Sequence, residues 1–223
     1  MIGYQNFGDA AILLTFGEVY TEKVQLEVRA WAAHLRKVNL SYVADLIPAY
    51  TTLTILYKPS EISYEELLGV LKGMKVEPRS VGPERVVKIP VCYDPVFGID
   101  MQQVAAHTGL SAAQIIRLHT EQSYRVSMLG FTPGFFYLAG MDKRLFCPRK
   151  ESPRLRIESG AVGIAGEQTG VYSVDSPGGW QLIGKTPVPI FDRHNKDAHF
   201  LVNQGDTVQF YSIDLEEFKN YNR

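Results

Sequence analysis

The 223-residue chain lacks the long apolar runs, the charge excess and the cysteine framework that mark specialised protein classes. No apolar run approaches the ~18 residues a membrane span needs, so no membrane role is expected. Lys plus Arg number 23 against 24 Asp plus Glu, a formal charge of −1. That balance removes the basic excess on which nucleic-acid and anionic-membrane binding draw. The two cysteines, Cys92 and Cys147, lie far apart and form neither a C-x-x-C pair nor a disulfide framework. Residues 1–9 show no basic region followed by an apolar stretch, so no signal peptide is expected and a reducing cytoplasm is the expected setting. Internal repeats and low-complexity tracts are absent too. What is present is an ordinary globular composition, 45% hydrophobic and 21% charged, long enough for one to two domains.

The two halves differ in texture. In the first, residues 10–16 form a short apolar strand signal. Val24, Val28, Trp31, Leu35 and Val38 then recur on one helical face over 21–38, with Thr21 as N-cap. Strands are expected around 42–47 and 52–57. A second helix starts at Ser63, whose capping box with Glu66 precedes the stripe Tyr64, Leu67, Leu68, Leu71 and Met74. A strand at 85–91 closes the set. The alternation of strands and helices suggests an α+β unit, ferredoxin-like in character. Further on, a short helix over 100–107 stops at Gly109, and Ser111 with Gln114 caps a helix to about Thr120. Between 130 and 189 there are 10 Gly and 6 Pro, a density that breaks helices and favours short strands in a barrel or sandwich. The boundary is expected near Ser80-Val81-Gly82-Pro83, with domains at 1–85 and 86–223.

Three motif matches are weaker than they look. Residues 179–186 fit the phosphate-loop pattern G-x-x-x-x-G-K-[ST], but that mechanism needs a helix directly after the loop. Pro187 and Pro189 deny the helix, so strand and turn are expected. Residues 102–116 have helix-turn-helix spacing, yet the candidate recognition helix carries one Arg and no Lys, so packing is the better reading. His194 and His199 sit five apart with no third ligand cluster in view, and no metal site is expected. There is no G-x-S-x-G elbow, and neither cysteine has an activating neighbour.

A different stretch resists explanation by packing alone. From His119 through Tyr124, Gly130-Phe131-Thr132-Pro133-Gly134-Phe135 and Tyr137, aromatics alternate with Gly and Pro. Pro148-Arg149 and Pro153-Arg154 follow, in a segment (143–156) with six basic residues and one acid. Gly166 and Gln168, then Ser176-Pro177-Gly178-Gly179-Trp180, complete the series. An aromatic pocket with cationic groups would suit a small molecule, the planar Arg fork being matched to carboxylates and phosphates. The same glycines could instead serve β turns and the same rings a barrel interior.

These motifs, with Gly163-Ile164-Ala165-Gly166, Gln168-Thr169-Gly170, Gly8-Asp9-Ala10-Ala11 and Pro90-Val91-Cys92-Tyr93, resemble the family of 5-oxoprolinase B subunits, also called the allophanate hydrolase subunit 1 or KipI family. The resemblance covers nearly the whole chain. Small departures, such as Ala161 after Gly160, Ser173 after Tyr172 and Lys185 where Arg is frequent, affect turns. It implies an N-terminal α/β domain and a C-terminal cyclophilin-like β-barrel. It also implies work beside a homologous C subunit and an A subunit, in an ATP-dependent enzyme that opens 5-oxoproline to glutamate. The assembled complex would use ATP, with none expected on this chain alone. Some members are described as inhibitors of a sensor histidine kinase, the alternative reading. Within the enzyme, Arg149 and Arg154 would stabilise charge on the amide oxygen, with Gly130 or Gly166 N–H groups nearby. His119 would move a proton or else be a buried structural histidine. Tyr124, Gly130, Phe131, Pro133, Gly134, Phe135, Tyr137, Gly166, Gln168, Ser176, Gly178, Gly179 and Trp180 would bind substrate or partner.

Overall fold

The computed structural model describes residues 2–78, 85–195 and 199–221. The chain divides into two compact units, residues Met1–Pro83 and Glu84–Arg223. The expected boundary segment Ser80-Val81-Gly82-Pro83 lies outside the described residues.

In the first unit, β1 (Gly3–Asn6), β2 (Ala11–Thr15), β3 (Val43–Pro48) and β4 (Thr52–Tyr57) form a sheet of order β1-β2-β4-β3, with every pair antiparallel. Every second residue of β4 is buried, the period-two signature of a strand covered on one face. Leu53, Ile55 and Tyr57 there meet Trp31 and Leu35 of α1 (Glu22–Val38) and Leu67 and Leu71 of α2 (Tyr64–Gly73) in one core. Both helices start where the sequence places their caps. The Thr21 hydroxyl accepts the Val24 N–H at 3.1 Å, and Ser63 and Glu66 close a full capping box.

The strand expected at 85–91 does not close this unit. As β5 (Val86–Cys92) it enters the second unit, running parallel to β13 (Thr207–Ile213) with Val86 opposite Thr207. Parallel partners are joined by long crossovers, so nothing near residue 86 announces the pairing. The place beside β2 belongs instead to β1, a four-residue strand with little apolar character.

The second unit is a closed barrel. Its further strands are β6 (Ser123–Leu129), β7 (Phe136–Ala139), β9 (Ala161–Ala165), β10 (Gln168–Val171) and β12 (Gln181–Lys185). The order is β10-β7-β6-β13-β5-β12-β9, and the β9–β10 pair closes the ring. A two-stranded ribbon of β8 (Arg154–Ile157) and β11 (Ser176–Gly178) lies outside it. Helices α3 (Met101–Thr108) and α4 (Ala112–Glu121) send Val104, Ile115 and Leu118 into the barrel core, so the helix-turn-helix spacing serves packing. The short α5 (Leu215–Asn220) ends the described chain. The phosphate-loop pattern is strand β12 followed by Pro187, with Lys185 paired to Glu158, as the prolines require. Among the described residues no helix is long and apolar enough to cross a membrane.

Candidate functional site

Strands β7, β10 and β9 form a wall with two unlike faces. Alternation sends Phe136, Leu138, Val162, Ile164 and Val171 into the barrel core, and turns Tyr137, Gly163 and Gly170 outward. Gly170 makes the outer face usable. A Cβ there would lie 2.6 Å from the Phe136 carbonyl, 3.2 Å from the Trp180 ring and 3.4 Å from the Phe135 ring. Without one, both rings lie down on the strands.

Phe135 is the hub of the outer cluster. Its ring centroid lies 5.5 Å from Phe131, 4.8 Å from Tyr137, 5.3 Å from Tyr172 and 5.4 Å from Trp180, all near edge-on. Positive ring edges against negative faces favour that arrangement. These five rings, with Arg149, Pro153 and the 177–179 turn, line a cavity of about 260 Å³. No carboxylate lines it. Arg149 is exposed and has no hydrogen-bond or ion-pair partner among the described residues. Burial raises the Tyr137 and Tyr172 hydroxyls, Tyr172 to about 12, with the nearby Arg149 charge pulling the other way. The Tyr172 hydroxyl also receives the Trp180 backbone N–H, and a Cβ on Gly178 would run into that hydroxyl. Gly179 holds the rim by accepting the Lys150 N–H at 2.7 Å. The 130–135 loop is pinned as well: Ser173 donates to the Pro133 carbonyl at 2.6 Å. Gly134, at φ +80°, would place a Cβ 2.7 Å from that of Phe191.

The inner face holds other residues expected at the site. His119 is fully buried, with Nδ1 2.7 Å from the Tyr93 hydroxyl and Nε2 2.9 Å from the Thr169 hydroxyl. Thr169 donates its own proton to the Gly163 carbonyl, so it must accept from Nε2–H, and Nδ1 accepts from Tyr93. Burial lowers the imidazole to about 3, so the ring is neutral in the fold. The Tyr124 hydroxyl donates to the His119 carbonyl at 2.8 Å, and the imidazole stacks on Phe210. His119 and Tyr124 therefore belong to the barrel core and do not line the outer cavity.

Arg154 also parts from Arg149. Its Nη2 donates at 2.7 Å to Oδ1 of Asp100, which is buried, and Lys150 donates to the same oxygen at 3.1 Å. The Leu182 N–H takes Oδ2. Burial opposes the Asp100 charge, yet these bonds outweigh it and hold the carboxyl below its ordinary value. Asp100 stands at the start of α3 but makes no side-chain cap bond, since its carboxylate is turned to these cations. Arg154 Nη1, Ser176 Oγ and Gln181 Oε1 are buried without a partner among the described residues. Gly166 lies in the β9–β10 turn and Gln168 opens β10, and neither lines the cavity. Gly130 precedes Phe131 and donates to the Phe135 carbonyl. His194 and His199 are both exposed.

Sequence reasoning did not assign Asp100, Tyr172, Pro153, Pro177 or Gly170 to the site. All but Asp100 stand inside or beside the motifs of the sequence. Asp100 carries only the signal of a helix cap.

The chain matches the family described as carboxyltransferase domain, subdomain C and D, over residues 2–202. It is 40% identical over 229 residues to the 5-oxoprolinase B subunit of Bacillus subtilis (strain 168), covering 97% of this chain and 95% of that protein. The Escherichia coli O157:H7 protein of the same name is 38% identical over 204 residues, covering 91% of this chain and 92% of that protein. Among solved structures, that of TTHA0988 superposes with a TM-score of 0.82 at 41% identity over 92% of this chain. The chain spans 40% of the length of that solved chain.

Proposed function

The chain belongs to the carboxyltransferase subdomain C and D family, alongside the 5-oxoprolinase B subunits, and we propose that it is the B subunit of an ATP-dependent 5-oxoprolinase. In that enzyme it would act with the A and C subunits to open the lactam of 5-oxoproline to glutamate. The carrying observation is 40% identity over 97% of this chain and 95% of the relative. Relatives at 35–40% identity carry the enzyme-subunit name, so this reading is taken over the kinase-inhibitor one.

An amide ring is a poor electrophile, and phosphorylating its oxygen with ATP releases ADP and makes its carbon electrophilic. One water then adds and the C–N bond breaks, opening the ring to an acyl phosphate, which a second water hydrolyses to glutamate and phosphate. This chain's contribution would be the outer cavity, with Arg149 offered to an anionic group of the substrate. ATP is assigned elsewhere in the complex: the one phosphate-loop pattern here is strand β12, whose backbone N–H groups are directed to a sheet and not to a phosphate cradle. Because the sequence holds no nucleophile elbow, the chain alone should be inactive. We also infer that the barrel is cyclophilin-like, that the first unit is a ferredoxin-like variant with β1 in the fourth strand's place, and that the protein works in the cytoplasm without nucleic acid. The test is glutamate release from 5-oxoproline plus ATP by the chain alone, with the C subunit, and with the A and C subunits together. Turnover is expected only from the full set. Appreciable turnover by the chain alone, or none by the full set, would contradict the proposal.

A further inference from the structure

Resting on that reading and going beyond it, we propose that the outer aromatic cavity seats a small ring carboxylate, with Phe131 as its specificity-determining wall. Phe131 is held at φ +78°, a left-handed backbone region that bulky L-residues avoid. Its loop cannot relax. The Gly130 N–H bonds the Phe135 carbonyl and the Phe135 N–H bonds the Thr132 carbonyl, each at 3.1 Å. Ser173 and Phe191 fix Pro133 and Gly134. The ring so presented is 58% exposed, standing edge-on to Phe135 in the cavity wall. A glycine at 131 would make the same turn without strain, so the ring adds little to the fold and much to the cavity.

The occupant follows from the rest of the lining. Arg149 is the only charged side chain there, is free of protein partners among the described residues, and offers a planar fork to a carboxylate. The remaining lining is aromatic rings, two of them phenols, with prolines and glycines, which suit a compact ring carrying few polar atoms. At about 260 Å³ the cavity lies below the roughly 300–1,000 Å³ of drug-sized sites, the scale of a small metabolite. 5-Oxoproline, a five-membered lactam bearing one carboxylate, has this chemistry.

The test is calorimetric titration of L-5-oxoproline into the full chain, first alone and then assembled with its A and C subunits in the absence of ATP. Pyrrolidin-2-one, the same ring without the carboxylate, is the second probe. Saturable binding of 5-oxoproline is expected, at least ten-fold weaker for pyrrolidin-2-one. A Trp31→Phe variant, which leaves Trp180 as the sole tryptophan, should report the same binding as a change in emission. Phe131→Gly should weaken binding at least ten-fold while its melting temperature stays level or rises. Undiminished binding by that variant, a lowered melting temperature, equal binding of both probes, or no binding in either format would overturn the proposal. Turnover by the complex without cavity binding would sink this site and spare the assigned function. Binding without turnover would do the reverse.

Discussion

The two faces of the β7–β10–β9 wall hold polar groups in opposite conditions. On the inner face a continuous chain runs from the Tyr93 hydroxyl through His119 and Thr169 to the Gly163 carbonyl, and each donor has an acceptor. On the outer face Arg149 has no protein partner among the described residues, and Phe131 occupies a costly backbone conformation. A completed buried network rigidifies a core, whereas unpaired charge and strain beside a cavity stabilise nothing until a ligand arrives. Residues that look equally functional in sequence therefore divide into a structural set inside and a ligand-facing set outside.

The sharpest way to break this division is from inside. His119→Ala should destabilise the protein by about 3–5 kcal/mol, since it opens a core cavity and leaves the Tyr93 and Thr169 hydroxyls without their partner. Denaturant midpoints of variant and parent measure it, and an unchanged midpoint would deny the structural role. Next in size is Asp100→Asn, expected to destabilise by about 2 kcal/mol, the usual penalty for breaking a buried pair reduced because Lys150 and Arg154 remain partly wet. It should also lessen the loss of stability at low pH. The Asp100 carboxyl is held below its unfolded value, so its contribution is present above that value and lost as pH falls through the folded one.

The His119 imidazole, lowered to about 3 by burial, adds a pH dependence of its own. The unfolded chain binds a proton near pH 6.5 that the folded chain refuses. Stability should therefore fall by about 1.4 kcal/mol per unit as pH drops below roughly 6.5, the loss ending near the folded value. The ring-proton resonances of His119 should stay unshifted from pH 7 to pH 4. Titration near 6.5 would mean that water reaches the ring.

How far the sequence revealed this division depended on the range of the interactions. Caps at Thr21, Ser63 and Ser111 were legible because each acts across three residues. Phe131, Phe135, Tyr137, Gly178, Gly179 and Trp180 were legible as a set, and they meet at one cavity. The allegiance of β5 was not, because its pairing with β13 spans most of the second unit. Pro148-Arg149 and Pro153-Arg154 are near-identical in sequence, yet Asp100, 54 positions before Arg154, takes that arginine and leaves Arg149 free. His119 presents the same difficulty: the Tyr93 and Thr169 hydroxyls that hold its ring in the core come from just after β5 and from β10.

The effect that bears most directly on the outer face is read in turnover and not in stability. Arg149→Ala should lower kcat/KM for glutamate release by the assembled complex about ten-fold or more, the loss of one charge-assisted contact worth about 1.5–3 kcal/mol. Its melting temperature should match the parent's, because an exposed arginine without a partner adds little stability. Measuring both quantities on one preparation is decisive. A ten-fold loss at unchanged melting temperature is the expected result, and full activity, or activity lost only through unfolding, would contradict the assignment of the outer face to function.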